Sequence, residues 1–236
     1  RVLTDPDSIL LSRPEPILHK ARADKNGVSV YDHPDMWRYT SPGVIHRETQ
    51  LLDTAEKELI GPVTEAVVER VLADVAIKGA PLGADQVRMV RTLATSPRAV
   101  VTAVGPAGAG KTTAMRALAQ AVAQQGATLI GLAPSAVAAR ELGDALEVEA
   151  MPIQRWLTKE AWTDLKPGDV VLVDEAAMVG NTSLSAVVER AVDAGATVRM
   201  IGDPAQLGAV DANGAFELLH RTSPDPVELD RVWRFK

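Results

Sequence analysis

The sequence predicts an α/β fold in which a parallel sheet carries helices on both faces. Short runs of β-branched and apolar residues lack the polar alternation of a half-exposed strand, amphipathic segments separate them, and a glycine-rich turn follows the first run. Strands buried on both faces are typical of parallel sheets, because the crossovers that join parallel strands place helices over the sheet. We therefore predict a doubly wound α/β class.

Residues 1–80 are predicted to form a separate, mainly helical N-terminal region. Its first 50 or so residues contain scattered prolines, three of the four histidines and little apolar periodicity, which indicates loops and short elements. From Glu48 to Ile77 apolar residues recur at helical spacing, and Gly61-Pro62 divides that stretch into two helices. The main domain is predicted to span residues 81–236, and its first helix is expected around Val87 to Ala94.

The main domain alternates strands with helices. Its predicted strands cover residues 99–104, 128–133, 170–176 and 197–203. Its predicted helices begin at Thr112, Ser135 and Asn181, and the last of these carries an apolar stripe that stops at Gly195. This alternation is the pattern of βαβ units, so the strands are expected to run parallel.

Composition excludes several classes of protein. No cysteine is present among the 236 residues, which rules out disulfide scaffolds, thiolate zinc sites and cysteine nucleophiles and suits a cytoplasmic location. The apolar runs fall short of the roughly 18 residues that a membrane-spanning helix needs. The formal net charge of −6 neither indicates nor excludes binding to nucleic acid. Because the sequence begins with Arg1 rather than Met, we expect it to be part of a longer chain.

A glycine-rich turn between the first strand and its helix matches the phosphate-binding pattern GxxxxGK followed by Ser or Thr. Glycine lets backbone N–H groups approach phosphate oxygens, and the helix N-terminus adds the positive end of its dipole. Lys111 is expected to reach the β- and γ-phosphates, and Thr112 to bind Mg²⁺. A plain glycine-rich turn is the alternative. The residues predicted to contact the nucleotide here are Gly105, Pro106, Ala107, Gly108, Ala109, Gly110, Lys111, Thr112 and Thr113.

A pair of carboxylates follows the third predicted strand, at Asp174 and Glu175. The carboxyl end of a buried strand in such a sheet lies near the phosphate-binding turn, because ligands collect at that edge. We predict that Asp174 binds Mg²⁺, directly or through water, and that Glu175 is the base that activates the attacking water. A solvated acidic turn is the alternative reading.

The fourth predicted strand leads into the sequence GDPAQL, which contains Gln206. An uncharged amide can hydrogen-bond a γ-phosphate or the attacking water and lose that bond when phosphate leaves. Gln206 is therefore predicted to be a catalytic sensor, although the same letters in isolation would fit a simple turn.

Together, GPAGAGKT, VVLVDEAAMV, MIGDPAQL and ELDRVWRF resemble, in order and spacing, motifs I to IV of superfamily 1 helicases of the RecD-like group. The resemblance covers residues 82–236. LIGLAPSAVAARELG and RVWRF are also similar to the helicase portion of TrwC/TraI-type conjugative relaxases. The resemblance implies a RecA-like motor domain of the 1A type that uses ATP and Mg²⁺, binds single-stranded DNA and moves 5′ to 3′.

The resemblance also implies roles for further residues. LGADQ is similar to the Q motif of that family, so Gln86 is expected to contact adenine. GLAPSA is similar to motif Ia, which implies that Pro134 and Ser135 touch the DNA backbone. In motif IV, Arg234 is expected to approach the γ-phosphate, and Arg231 is its nearby rival.

Arg155 and Trp156 are weaker candidates for DNA binding. An exposed tryptophan can stack on a base, which contributes roughly 1–3 kcal/mol per base. Trp156 is equally expected to fill the core, because tryptophan is commonly buried for its large apolar area. The aromatic content is low, with 2 Phe and 2 Tyr, so a groove lined by many aromatic side chains is not expected.

Some parts of the resembling families are not recognisable in this sequence. Motifs V and VI of a second RecA-like domain are missing, as are the catalytic tyrosine and histidine cluster of a relaxase. We expect that second domain in the full-length chain, and we expect this segment alone to bind nucleotide but to hydrolyse it and unwind DNA poorly. Another P-loop enzyme, or a nucleotide-binding scaffold segment without independent activity, is the alternative; a GTPase is disfavoured because no NKxD sequence is present.

Overall fold

The computed structural model describes residues 8–10, 39–61, 63–78, 81–158, 164–203 and 214–229. The chain divides into two compact units, residues 1–50 and 51–236. In the first unit, β1 (Ile9–Leu10) pairs antiparallel with β2 (Tyr39–Thr40). Helix α1 (Pro42–Ala55) begins in this unit, where Ser41 accepts hydrogen bonds from the first turn and proline occupies the first helical position.

The second unit is built on one six-stranded sheet. Its strands are β3 (Val100–Val104), β4 (Leu129–Ala133), β5 (Ala150–Pro152), β6 (Val170–Val173), β7 (Thr197–Gly202) and β8 (Val227–Glu228). They lie in the order β5-β4-β6-β7-β3-β8, and every neighbouring pair is parallel. The predicted α/β class and the predicted parallel direction of the strands are confirmed.

Helices cover both faces of this sheet. They are α2 (Glu65–Lys78), α3 (Ala84–Thr95), α4 (Lys111–Gln125), α5 (Ala136–Leu146), the short α6 (Ile153–Trp156), α7 (Asn181–Asp193) and α8 (Ala215–Thr222). One apolar core holds α2 to α5 against the sheet, and a second holds α6, α7 and α8 with the end of α1 against the other face. Successive residues of a strand pack into opposite cores: Leu172 belongs to the first and Val173 to the second.

Polar contacts fix α2 onto its neighbours. Thr64, just before α2, donates from its backbone N–H and its hydroxyl to Gln125 Oε1, at 3.2 and 3.1 Å. Arg91 of α3 donates to Glu65 and Glu69, which lie one turn apart on α2. The helix break predicted at Gly61-Pro62 is confirmed, since α1 ends at Ala55 and α2 begins at Glu65. The domain boundary near residue 80 stays a prediction.

The end of β7 is tightly packed. A Cβ at Gly202, the last residue of this strand, would lie 2.7 Å from the ring of Phe216 on α8 and 3.2 Å from the backbone nitrogen of Ala177. Glycine at 202 therefore lets α8 lie directly against the strand end. Among the described residues, no helix is long and apolar enough to cross a membrane.

Candidate nucleotide site

The strand order brings three loops of the sequence together. β6, β7 and β3 are consecutive neighbours in the sheet, so the segments that follow them leave from adjacent positions at its carboxyl edge. The backbone N–H of Gly105, at the start of the glycine-rich turn, donates to the carbonyl of Gly202 at 3.1 Å. Ligands in open α/β sheets bind at this edge, outside the carboxyl ends of the strands.

The turn between β3 and α4 has a backbone that only glycine adopts readily. Gly108 and Gly110 have φ values of 81° and 83°, in the left-handed region. Helix α4 begins directly after the turn, and its first turn contains no acidic residue. The first N–H groups of a helix have no acceptor within the helix, so they and the helix dipole favour an anion at this point. The turn fits a phosphate group.

Lys111 is the first residue of α4, directly after this turn. Its Nζ donates to the carbonyl of Gly105 at 2.7 Å, so the ammonium group folds back over the loop that precedes it. Thr112 and Thr113 follow in the first turn of α4 and are exposed, while Ala109 is buried beneath the loop. The positive charge and the exposed hydroxyl groups thus share one end of the helix.

The carboxylates after β6 lie beside the phosphate-binding turn. The backbone N–H of Glu175 donates to Asp174 Oδ1 at 2.9 Å. Burial raises the pKa of Asp174 above its ordinary value, and the positive charge of Lys111 opposes that rise. Glu175 has a φ of 52°, a left-handed conformation that is unusual for a residue with a side chain.

The oxygen donors at this edge suit magnesium. Mg²⁺ is commonly bound by one or two protein oxygens together with phosphate oxygens and water, rather than by a cage of protein ligands. Thr112, in the first turn of α4, and Asp174, after β6, offer one hydroxyl and one carboxylate at the same edge of the sheet. No cluster of three His, Asp or Glu side chains that could hold a metal occurs among the described residues. These residues therefore contain no metal site formed by such side chains alone.

The third loop is only partly described. β7 delivers Asp203 to the same edge, and this residue is 7% exposed. Gln206, the predicted sensor, and Arg234, the predicted γ-phosphate contact, lie outside the described residues, as does Arg231. Their roles stay predictions.

Gln86 has a structural role that the sequence did not indicate. Its side chain lies in the first turn of α3 and is 6% exposed. Oε1 accepts the backbone N–H of Gly83 at 2.8 Å, and Nε2 donates to the carbonyl of Gly110 at 3.2 Å. The amide therefore ties α3 to the phosphate-binding turn. One N–H and one lone pair of the amide are not used by these two bonds, so the adenine contact stays a prediction.

The predicted DNA-binding residues separate into two groups. Pro134 and Ser135 follow β4 at the carboxyl edge of the sheet, and the exposed Ser135 accepts the N–H of Ala138 at 3.1 Å as the N-cap of α5. Arg155 is exposed on α6. Trp156 is 0% exposed and belongs to the second core, so the stacking role does not fit its position and the core-filling alternative does.

Sequence reasoning also missed Arg199. This side chain is 0% exposed in the middle of β7, and burial lowers its pKa to about 9. The available signal was a charged residue inside TVRMIG, a strand predicted to be buried on both faces. A buried charge needs compensating hydrogen bonds.

Strand order, the glycine turn and the carboxylate pair define a P-loop domain of the α/β class. A sequence profile described as an AAA domain matches residues 81–236. The chain belongs to this family, and the match covers the described sheet from β3 to β8.

Known relatives carry the same helicase-type domain. The chain is 31% identical over 188 residues to the conjugal transfer protein TraA of Agrobacterium fabrum (strain C58), covering 77% of this chain and 16% of that protein. It is 32% identical over 143 residues to the ATP-dependent RecD2 DNA helicase of Deinococcus radiodurans, covering 58% of this chain and 20% of that protein. The chain thus spans a fifth or less of the length of these relatives. The resemblance to RecD-like superfamily 1 helicases is confirmed.

A solved structure gives a more distant likeness. A complex of the arterivirus nonstructural protein 10 helicase with DNA aligns with 57% of this chain and 36% of its own chain, at 17% identity and a TM-score of 0.41.

Proposed function

We propose that the chain is the ATP-binding and ATP-hydrolysing motor segment of a 5′-to-3′ DNA helicase, within a conjugative relaxase–helicase. The observation that supports this proposal is the order β6-β7-β3, in which the segments that carry Asp174 and Lys111 leave from the same edge of the sheet. The relationship to TraA and RecD2 supports the helicase class, and the similarity to TraA supports the conjugative setting.

The proposed nucleotide-binding residues have different roles according to their charge. The glycine turn and the N-terminus of α4 supply N–H donors, and the Lys111 ammonium group neutralises phosphate charge. Thr112 and Asp174 would hold Mg²⁺, whose charge stabilises the phosphate oxygens during transfer. Burial disfavours the carboxylate form of Asp174 that would bind Mg²⁺, and the positive charge of Lys111 favours it.

Glu175 is the proposed base for the attacking water. It follows Asp174, the proposed metal ligand, and begins the turn after β6 in a left-handed conformation. A carboxylate at that place can accept a proton from water bound next to the phosphates. Gln206 and Arg234 are proposed as the sensor of the γ-phosphate and as the cation that stabilises charge during hydrolysis, on the family resemblance alone.

Single-stranded DNA is the proposed partner of the neighbouring loops. Pro134 and Ser135 after β4, and Arg155 after β5, lie along the same carboxyl edge as the nucleotide residues. Pro134 and Ser135 leave the sheet three strand spacings, and Arg155 four, from the phosphate-binding turn, at about 4.8 Å each, so a DNA strand along this edge would lie near the phosphates. We further propose that a second RecA-like domain completes both sites, so this segment alone hydrolyses ATP weakly.

Fluorescence titration tests the proposal. Fluorescent ATP and GTP analogues are titrated into the protein with and without Mg²⁺, and with and without oligo-dT. We expect Mg²⁺-dependent binding that prefers ATP and changes when oligo-dT is added. Binding that ignores both the base and the DNA would favour another P-loop enzyme or a scaffold segment instead.

The role of Glu175 is tested in a chain that includes the second domain. Glu175→Gln should retain ATP binding and lower the hydrolysis rate by about 100-fold or more, within the range that general bases contribute. Glu189→Gln, at an exposed position on α7, is the matched control and should leave the rate unchanged. Equal loss of binding and hydrolysis in Glu175→Gln would count against its role as the base.

A further inference from the structure

Arg199 is held by backbone carbonyls rather than by a carboxylate. Its Nε donates to Leu93 O at 2.6 Å, its Nη2 to Ser96 O at 2.8 Å, and its Nη1 to Arg98 O at 3.0 Å and Val198 O at 3.2 Å. Within the described ranges, no Asp or Glu forms an ion pair with it. Three of the four acceptors lie in the last turn of α3 or just after it.

These carbonyls need an outside donor. The regular partner of Leu93 O in a helix would be the N–H four residues later, but that residue is Pro97, which has none. The last turn of α3 also carries no basic residue of its own. The Arg199 guanidinium supplies both the donors and the positive charge that the C-terminal end of a helix favours.

Helix α3 therefore has a fixed attachment at each end. At its N-terminal end, Gln86 Nε2 donates to the carbonyl of Gly110 in the phosphate-binding turn. At its C-terminal end, Arg199 joins it to the middle of β7. The helix has 12 residues and is about 18 Å long at 1.5 Å per residue. A straight helix of this length transmits a shift at one end to the other.

We propose that Arg199 is a positioning residue for the nucleotide site: by holding the C-terminal end of α3, it sets the place of Gln86 and, through Gln86, of the phosphate-binding turn. This inference rests on the proposed nucleotide-binding function. In this way α3 connects β7, the strand that leads to Asp203, to the turn after β3. This connection is separate from the loops at the carboxyl edge of the sheet.

An arginine is required by the geometry of the acceptors. Its planar fork presents three nitrogen atoms in different directions, whereas lysine presents one ammonium group. Arg199→Lys offers one nitrogen in place of three and reaches fewer of the carbonyls, so α3 should lose part of its attachment while the core keeps nearly the same volume. This substitution is the conservative variant for testing.

A double-mutant cycle tests the coupling. Affinity for a fluorescent ATP analogue with Mg²⁺ is measured, at a temperature where every variant is folded, for the wild type, Arg199→Lys, Gln86→Ala and the double variant. We expect Arg199→Lys to weaken binding about fivefold to tenfold, and to add less than twofold when Gln86 is already alanine. Effects that multiply independently, or an unchanged affinity, would overturn the proposal.

A control separates positioning from loss of stability. Asp169 is also buried, at 5% exposure, and accepts the N–H groups of Thr128 and Lys166 at 2.8 Å each, before the amino end of β6. Asp169→Asn should lower the unfolding temperature without weakening the affinity for the ATP analogue. If Asp169→Asn weakened affinity as much as Arg199→Lys, the Arg199 effect would be a general consequence of destabilisation.

Hydrogen exchange provides a readout that needs no nucleotide. In Arg199→Lys, the amides of Thr113 and Ala114, which donate to the same Gly110 carbonyl as Gln86, should exchange faster than in the wild type, and in Asp169→Asn they should not. If the wild type binds no nucleotide at all, the proposed function fails, yet the exchange rates still test Arg199. Unchanged exchange at Thr113 and Ala114 in Arg199→Lys would overturn the positioning role.

Discussion

Two turns at the carboxyl edge of the sheet have opposite chemistry on similar backbones. The turn after β3 uses Gly108 and Gly110 in the left-handed region and presents N–H groups and an ammonium group. The turn after β6 uses Glu175 in the same region and presents carboxylates. Both follow strands that lie between the two cores.

The difference between the two turns shows at which positions a side chain occurs in spite of an unfavourable backbone conformation. A residue with a Cβ in the left-handed region costs roughly 1 kcal/mol or more. The first turn avoids that cost because its backbone has to approach a ligand. The second accepts it at Glu175, whose carboxylate is the proposed base. Glu147, with a φ of 57° at the C-cap of α5, accepts the same cost for a structural reason, the end of a helix.

The largest expected effect on nucleotide affinity is that of replacing Lys111. Lys111→Ala should weaken binding of an ATP analogue by about 10- to 100-fold, since a hydrogen bond to a charged group contributes roughly 1.5–3 kcal/mol. Isothermal titration calorimetry measures the change. Lys57→Ala, at an exposed position, is the matched control. Unaltered affinity in Lys111→Ala would mean that the turn after β3 does not bind the phosphates.

Asp174→Asn should separate function from stability. Mg²⁺-dependent binding should weaken, while the free protein should become more stable at pH 7. Burial raises the pKa of Asp174 in the folded state, so its ionisation opposes folding increasingly as the pH rises from the ordinary pKa through the raised one. Below the ordinary pKa of 3.8 the carboxyl group is largely neutral in both states and the gain should vanish. Thermal unfolding at pH 3 and pH 7 without Mg²⁺ checks the sign; a gain at pH 3 that equalled the gain at pH 7 would contradict it.

Gly110→Ala should affect both stability and binding. The added Cβ at φ 83° should cost roughly 1–2 kcal/mol of unfolding free energy and shift the turn away from the phosphates. Gly126→Ala is a matched control at the other end of α4, with φ 86° and no atom within 4 Å of the new Cβ. It should lose similar stability and keep its affinity. Chemical denaturation and nucleotide titration of both variants test this, and equal affinity losses would argue against a special role of the turn.

The smallest expected change in stability is the relief of strain at the two glutamates. Glu175→Gly and Glu147→Gly should each stabilise the folded protein by roughly 0.5–1 kcal/mol, because glycine adopts the left-handed region freely. Only Glu175→Gly should abolish ATP hydrolysis in a chain with the second domain. Urea unfolding measures the first effect and a phosphate-release assay the second. A loss of stability in Glu175→Gly would show that its side chain contributes contacts that outweigh the strain.

The sequence predicted the centre of the fold well because local pattern and tertiary structure agree there. The predicted strands at residues 99–104, 128–133 and 197–203 match β3, β4 and β7 within one residue at each end, and the third predicted strand continues β6 past Val173 into the carboxylate turn. Buried strands are continuous apolar runs, and the helices between them have clear stripes and stops. The phosphate-binding turn could also be predicted from the sequence, because its left-handed backbone conformations favour glycine at those positions.

The rest could not be read locally. β5 and β8 have three and two residues, and only pairing with β4 and β3 makes them strands. The strand order that brings Asp174 to Lys111 is a tertiary property. Trp156 was ambiguous because tryptophan suits both a core and a stacking surface, and only its burial decides between them. The contacts of Gln86 and Arg199 join positions 24 and more than 100 residues apart.

The contact between Gly202 and Phe216 restricts how the protein can vary in evolution. A methyl group at 202 would collide with the ring of Phe216 and lie tightly against the backbone nitrogen of Ala177. Replacement of Gly202 alone is therefore disfavoured, and it would require a smaller or displaced side chain at 216 together with a small shift of the turn at Ala177. The turn at Ala177 directly follows Asp174 and Glu175. Selection for their proposed roles in catalysis and selection for close packing would therefore act on the same short segment.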